Sequence, residues 1–313
     1  MPAVAARSRR TAESGRAMRF HFLLTNHFRY GCFRIEDICV PIATGHIVTY
    51  GFDDDVPPWP AVNLLVENFN NPAVVDQMAR LKAGPQRYCF GVVGHEDIAD
   101  AAIFDNPSFA DRRRNLERAL TLADFGWTIV PCEYGALAGG ERMRFLEFGY
   151  ARSLRHNASL PRDIDVLFYG ELGDRRLPLF NALVGRGLKV EASFGLLPAF
   201  FVQDLIDRAK IVADIGRADG LRFLTPTRIC AALHRGATVM SEQIDRGPLA
   251  KLYRYAAPVT IDNFVETAVA VAQSGRAPEI GQKARELFAV ETSMAASLLR
   301  AMTLPLFAEL AAA

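Results

Sequence analysis

The chain has 313 residues, half of them apolar and 23% charged, with 36 Lys and Arg against 35 Asp and Glu. This balance excludes a disordered or fibrous protein, and the near-zero net charge excludes a whole-surface field able to hold nucleic acid or an anionic bilayer. The length exceeds the ordinary size of one hydrophobic core, so two domains are expected.

Residues 1–17 carry Arg7, Arg9, Arg10 and Arg16 among Ala and Ser without an apolar segment. They read as a disordered lead-in rather than a secretory signal. From Met18 onward, short β-rich runs alternate with amphipathic stretches, the rhythm of βαβ units and a parallel sheet. Strands are expected at 19–24, 46–51, 62–69, 88–93 and 127–131. Pro72, after Asn70-Asn71, opens a helix that Gly84-Pro85 closes. Ser108 is placed to cap a helix running to Leu120, and 141–154 puts Phe145, Phe148 and Leu154 near one helical face. The segment HNASLPRD breaks that pattern, giving a first domain over 18–157 and a second over 158–313.

The rhythm then restarts, with strands expected at 164–170, 188–193, 211–216, 237–242 and 258–262, a helix after each of the first three strands, and another over 263–274. The fold class expected is α/β, two Rossmann-like domains whose parallel sheets face a central cleft. In open parallel sheets ligands sit outside the carboxyl ends of the strands. Cys32, Cys39, Cys89, Cys132 and Cys230 are odd in number and show no CxxC spacing, as buried reduced thiols would. Pro198 and Gln203 interrupt the best apolar run, so no transmembrane segment is expected. The reading is a cytoplasmic protein.

Two segments carry candidate chemistry. In DIDVLFYGELGDRRLPLF an apolar strand ends at Gly170, a loop contains Gly173, and a helix starts with Arg175 and Arg176. Backbone approach at glycine, helix-start N–H groups and guanidinium forks suit phosphate oxygens. The loop has neither GxGxxG nor GxxxxGK, and a tight turn with two solvated arginines is the competing reading. In LTPTRICAALHRGATVMSEQID, Thr225 or Thr227 is placed to cap a helix ending at Gly236, and the following strand brings Ser241 and Glu242 to the cleft edge. Glu242 there is either an acceptor for ribose or sugar hydroxyls or a solvated loop acid.

With these segments in order, together with DLIDRAKIVADI at 204–215, the C-terminal half resembles bacterial GT-B glycosyltransferases of the group 1, spore-maturation-protein-like kind over about 80 residues. The resemblance implies a nucleoside diphosphate sugar donor in the C-terminal domain and an unknown hydroxyl acceptor on the N-terminal side. It implies donor contacts from Gly170, Arg175, Arg176, Thr225, Arg228 and Glu242, and no metal or other cofactor. The chain departs from the pattern in carrying Thr225 where relatives commonly have Glu, and Asp214 and Gly216 where they often have Asn and His. Arg228→Ala is expected to weaken nucleotide binding with little loss of stability.

In the first half, YCFGVVGHED places His95 and Glu96 after a buried strand. A base near the acceptor hydroxyl is needed for an inverting transfer, and Glu96, then His95, are the candidates. The competing reading is that Glu96 and Asp97 open a helix by complementing its dipole. Asp53-Asp54-Asp55 precedes Pro57-Pro58 and reads as a loop rather than a metal motif, and Arg112-Arg113-Arg114 reads as a solvated helix face. Transfer of a sugar is the leading function. A nucleotide-sugar 2-epimerase and a non-catalytic scaffold of the same fold are the alternatives.

Overall fold

The computed structural model describes residues 17–24, 33–51, 55–66, 71–95, 97–98, 110–131, 134–155, 160–193, 197–219, 221, 223–224, 226–243 and 249–313. Among them two parallel sheets are built from consecutive parts of the chain. The first contains β1 (Arg19–Leu24), β2 (Ile47–Gly51), β3 (Ala61–Val66), β4 (Cys89–Gly94), β5 (Phe125–Thr128) and β6 (Met143–Phe145), in the order β2-β1-β3-β4-β5-β6. Every residue of β3 and β4 is buried, which is why these runs read as continuously apolar: a parallel strand is covered on both faces. The covering helices are α1 (Phe33–Ile42), α2 (Pro72–Ala83) and α3 (Ala110–Leu122). Asn71 caps α2 by accepting from the Ala73 N–H at 3.1 Å, with Pro72 in the first position where its missing N–H costs nothing.

The second sheet contains β7 (Ile164–Tyr169), β8 (Val190–Ser193), β9 (Ala209–Asp214), β10 (Thr238–Glu242) and β11 (Ala257–Val259), in the order β11-β10-β9-β7-β8. Its helices are α4 (Gly173–Gly185), α5 (Ala199–Arg208), α6 (Pro226–Arg235), α7 (Ala250–Tyr253) and α8 (Ile261–Gln273), followed by α9 (Ala277–Glu291), α10 (Met294–Ala301) and α11 (Pro305–Ala312). The order of strands and helices over 164–273 follows the sequence expectation except for the short α7, which was not expected. The last expected strand is shorter, because Thr260 ends it by capping α8 in a reciprocal box with Asn263.

The stretch 141–154 departs from expectation: it is no helix. A turn at Gly140–Arg142 leads into the edge strand β6, and a second short turn covers Arg152–Leu154. Two contacts explain why. One Arg142 Nη donates to the carbonyls of Leu120, Thr121 and Ala123, closing the end of α3. A Cβ at Gly149 would stand 2.7–2.8 Å from the backbone of Ser293 and Met294, so the chain here runs against α10 with no room for a side chain. The pattern of Phe145, Phe148 and Leu154 reflects burial of an extended segment, which period alone does not separate from a short helix.

The C-terminal helices return to the first sheet. The Phe307 ring stacks on Phe20 and Trp127 at 6.4 and 6.3 Å and meets Phe125 edge-on at 5.0 Å. Tyr150 exchanges backbone bonds with this region, donating to Thr292 Oγ1 at 2.8 Å and accepting from Met294 at 2.9 Å. No single helix among the described residues is long and apolar enough to cross a membrane, and α10 and α11 meet at 97°.

Candidate functional site

The carboxyl ends of β7, β9 and β10 gather the C-terminal candidates. β7 stops at Gly170, whose φ of 126° suits only glycine, and a Cβ there would lie 3.3 Å from an Arg228 Nη. Arg175 and Arg176 follow on the first turn of α4, where the helix N–H groups lack intrahelical partners. Arg228 comes from the first turn of α6 and Glu242 from the end of β10.

The three guanidinium groups are held differently. Arg175 grips Glu242 with both Nη atoms at 2.9 and 2.5 Å, donates a further Nη bond to the Gly216 carbonyl at 2.9 Å, and reaches Asp219 through Nε at 2.7 Å. The Gly216 N–H donates to the same Glu242 at 2.7 Å. Arg176 is buried; its Nε donates to the Ile215 carbonyl at 3.0 Å and an Nη to the Glu171 backbone carbonyl. Burial, with Arg228 nearby, lowers its pKa to about 10, so the guanidinium keeps its charge at neutral pH. Arg228 pairs with Asp214 at 2.5 Å and donates to the Tyr169 carbonyl at 3.0 Å, while its buried Nε has no hydrogen-bond partner. Arg176 and Arg228 both lie 4.9 Å from the Phe168 ring centre.

Asp214 is fully buried at the tip of β9 and also accepts from the Ser241 hydroxyl at 3.1 Å. A buried carboxylate of this kind fixes the guanidinium of Arg228 in place. Asp214 figured in the sequence only as a departure from a pattern. A strand-ending acid one strand from a helix-start arginine was the available signal, and only tertiary structure makes the pair.

The structure therefore brings Gly170, Arg175, Arg176, Arg228 and Glu242 into one cluster. Thr225 and Glu96 lie outside the described residues, as do Asp53 and Asp54. His95 is buried directly after β4, in the first sheet. Arg113 and Arg114 make exposed pairs with Glu117 and Asp111, as a solvated face does.

A second cluster escaped the sequence reading. Cys230 and His234, four residues apart on α6, meet Asp37 of α1, and their donor atoms lie within 4.8 Å of one another in the core. The His234 ring accepts from the Ala151 N–H at Nε2, 3.0 Å away, so its proton sits on Nδ1, which donates to the Cys230 carbonyl at 2.8 Å. That tautomer leaves no lone pair facing Cys230 and Asp37, and the trio packs as a neutral contact between the two halves of the chain. Burial lowers His234 to about 4 and raises Asp37 to about 8, and one Asp37 oxygen has no hydrogen-bond partner.

No family model and no curated protein matches the sequence. Solved structures do. Anabaena HepE in complex with UDP-glucose is similar with a TM-score of 0.56 and 13% identity, covering 91% of this chain and 98% of that one. An α-glucosyltransferase in complex with UDP-glucose and DNA containing an abasic site gives 0.54 and 10%, covering 88% and 94%. The sucrose-phosphate synthase of Thermosynechococcus elongatus gives 0.53 and 11%, covering 90% and 97%. These neighbours are GT-B glycosyltransferases, and at such identities the likeness concerns architecture. Two parallel α/β sheets in this order, matched over nine-tenths of the chain, give it the GT-B fold.

Proposed function

We propose that this chain is a metal-independent glycosyltransferase of the hexosyl type, moving a sugar from a nucleoside diphosphate donor to a hydroxyl acceptor in the cytoplasm. The second sheet holds the donor and the first presents the acceptor, with the division near residue 157 and the last two helices returning to the first unit. The observation that carries this reading is an Arg228 Nη beside Gly170, with Arg176 against the same Phe168 ring and α4 opening three residues after Gly170, at the carboxyl ends of β7 and β9. Neighbours of the same fold bind UDP-glucose, which favours that donor class.

As the glycosidic bond breaks, the leaving diphosphate gathers negative charge. Preorganised guanidinium and N–H donors lower the barrier by stabilising that charge without reorganising. Within the cluster three arginines face the three carboxylates Asp214, Asp219 and Glu242, so binding relies on directed hydrogen bonds more than on net field. Closure of the two units over the donor would exclude water and limit its hydrolysis. Glu96, with His95 beside it, is the proposed base at the acceptor hydroxyl.

A melting-temperature screen against UDP-, GDP-, TDP- and CMP-sugars tests the reading. At least one nucleoside diphosphate sugar is expected to stabilise the protein, by about 2.7 kcal/mol at 100 times its Kd. A melting point unmoved by every sugar nucleotide at millimolar concentration would contradict donor binding. The scaffold reading has its own support in the mutual pairing of Arg175 with Glu242, and in Thr225 at a position where relatives carry an acid. Turnover separates the alternatives: nucleoside diphosphate released with an acceptor means transfer, donor converted without acceptor means epimerisation, and binding without turnover means a scaffold.

A further inference from the structure

Arg175 sits on the same helix turn as Arg176 and, in sequence, is an equal candidate for the diphosphate. Its hydrogen bonds say otherwise. A guanidinium has five N–H donors. Four of those on Arg175 are engaged: two with the Glu242 carboxylate, one with the Gly216 carbonyl and one with Asp219. Arg228, by contrast, uses one Nη bond to Asp214 and one to Tyr169, and its Nε is unpartnered.

The Arg175–Glu242 contact has both partners largely shielded from water, with side chains 16% and 10% exposed. Bidentate geometry of this kind fixes a carboxylate in the plane of the guanidinium as well as in distance. Gly216 completes the clamp. Its N–H donates to Glu242 and its carbonyl accepts from Arg175, and a Cβ at this position would meet Glu242 Oε2 at 2.9 Å. The tips of β9 and β10 and the start of α4 are thereby tied at one carboxylate.

We infer that Arg175 is a positioning residue, one that acts on the donor through the Glu242 carboxylate rather than by touching the diphosphate. The inference rests on the donor-site reading above. It assigns the nucleoside side of the donor, the ribose hydroxyls, to the Arg175–Glu242–Gly216 clamp, and the phosphates to Arg228, Arg176 and the α4 amides. A Lys at 175 keeps the charge and loses the two-point grip, so it cannot replace Arg in this role, whereas a simple phosphate contact would tolerate it.

Calorimetric titrations of the full chain with UDP, uridine and inorganic pyrophosphate test this, using Arg175→Lys, Arg175→Ala, Glu242→Gln and the double variant Arg175→Ala with Glu242→Gln. Uridine and UDP affinities are expected to fall about tenfold in each single variant. The double variant should lose no more than either single one, because both changes remove the same interaction. Pyrophosphate affinity should stay within twofold of wild type. The inference is overturned if Arg175→Ala weakens pyrophosphate while sparing uridine, if Arg175→Lys binds UDP as wild type does, or if the two losses multiply. Should pyrophosphate bind too weakly to measure, the double-mutant cycle on UDP decides alone. A variant that melts early is read through Arg175→Lys, which leaves a cation beside Glu242. Wild-type protein that binds no nucleotide at all ends the donor-site reading itself, an outcome distinct from any failure of the clamp.

Discussion

Arg228→Ala is expected to weaken binding of a nucleoside diphosphate about 100-fold, the value of two charge-assisted hydrogen bonds in a shielded site. Contrary to the expectation from sequence alone, it is also expected to destabilise the fold, by about 3–5 kcal/mol. The reason is Asp214, which is wholly buried and has Arg228 as its cationic partner at 2.5 Å. Removing the guanidinium leaves a carboxylate in the core with no ion-pair hydrogen bond, held only by the Ser241 hydroxyl and the more distant charge of Arg176. Adding Asp214→Asn to Arg228→Ala removes the stranded charge, so stability is expected to return while affinity does not. Urea unfolding and calorimetry separate the two effects. Wild-type affinity in Arg228→Ala would remove this residue from the site, and unchanged stability would contradict the account of Asp214.

Asp37→Asn is expected to stabilise the protein and to remove most of its pH dependence between 6.5 and 8. The Asp37 carboxyl is wholly buried among Glu36, Cys230, His234, Arg235 and Tyr169, and burial lifts it from 3.8 to about 8. Below about pH 4 the group is protonated in both the folded and the unfolded chain. Between there and pH 8 the folded protein must retain a proton that the unfolded chain releases, so stability falls as pH rises. Burial also raises Glu36, which acts with the same sign. His234 acts in the opposite sense. Its folded value of about 4 lies below the ordinary 6.5, so its contribution is full above 6.5 and is lost as pH falls toward 4. Above pH 6.5 the unfolded His234 releases its remaining half proton, a small opposing effect, and Asp37 should remove about 2 kcal/mol between 6.5 and 8. Thermal unfolding across that window should slope downward in wild type and run nearly level in Asp37→Asn. Parallel slopes in the two proteins would contradict a neutral Asp37.

A residue whose removal stabilises its protein invites the question of why it is there. Asp37 accepts a hydrogen bond from Cys230, two residues along α6 from Arg228. The contact joins α1 of the first half to the helix that carries the proposed phosphate ligand. Polar contacts buried between packed elements can favour one arrangement over near alternatives. At this place the specificity would concern how the two halves sit around the donor.

Much of the architecture was legible in the sequence because parallel strands covered on both faces appear as unbroken apolar runs. β3, β4, β7 and β9 are such runs; the ends of β4, β7 and β9 fall close to the expected positions, and the expected end of β3 at residue 69 lies outside the described residues. β6 was not legible. An edge strand of three residues has no period of its own, and its surroundings are dictated by the contact of Gly149 with α10. Nor could the chain order reveal that Phe307 completes the core around Trp127, since aromatic burial across 180 residues leaves no local mark. At the site, Gly170, the two arginines of α4, Arg228 and Glu242 were found from residue types at strand ends and helix starts. Their partners were not, because Asp214, Gly216 and Tyr169 act through atoms that only packing brings within reach.

On the proposed reading, the carboxyl ends of β7, β9 and β10 receive a diphosphate. A crystal structure of the protein with UDP-glucose tests it most directly. Phosphate oxygens are expected about 3 Å from Arg228 and from the first-turn amides of α4, beside Gly170. A nucleotide seated away from that cluster, with Arg228 still turned only to Asp214 and Tyr169, would contradict it.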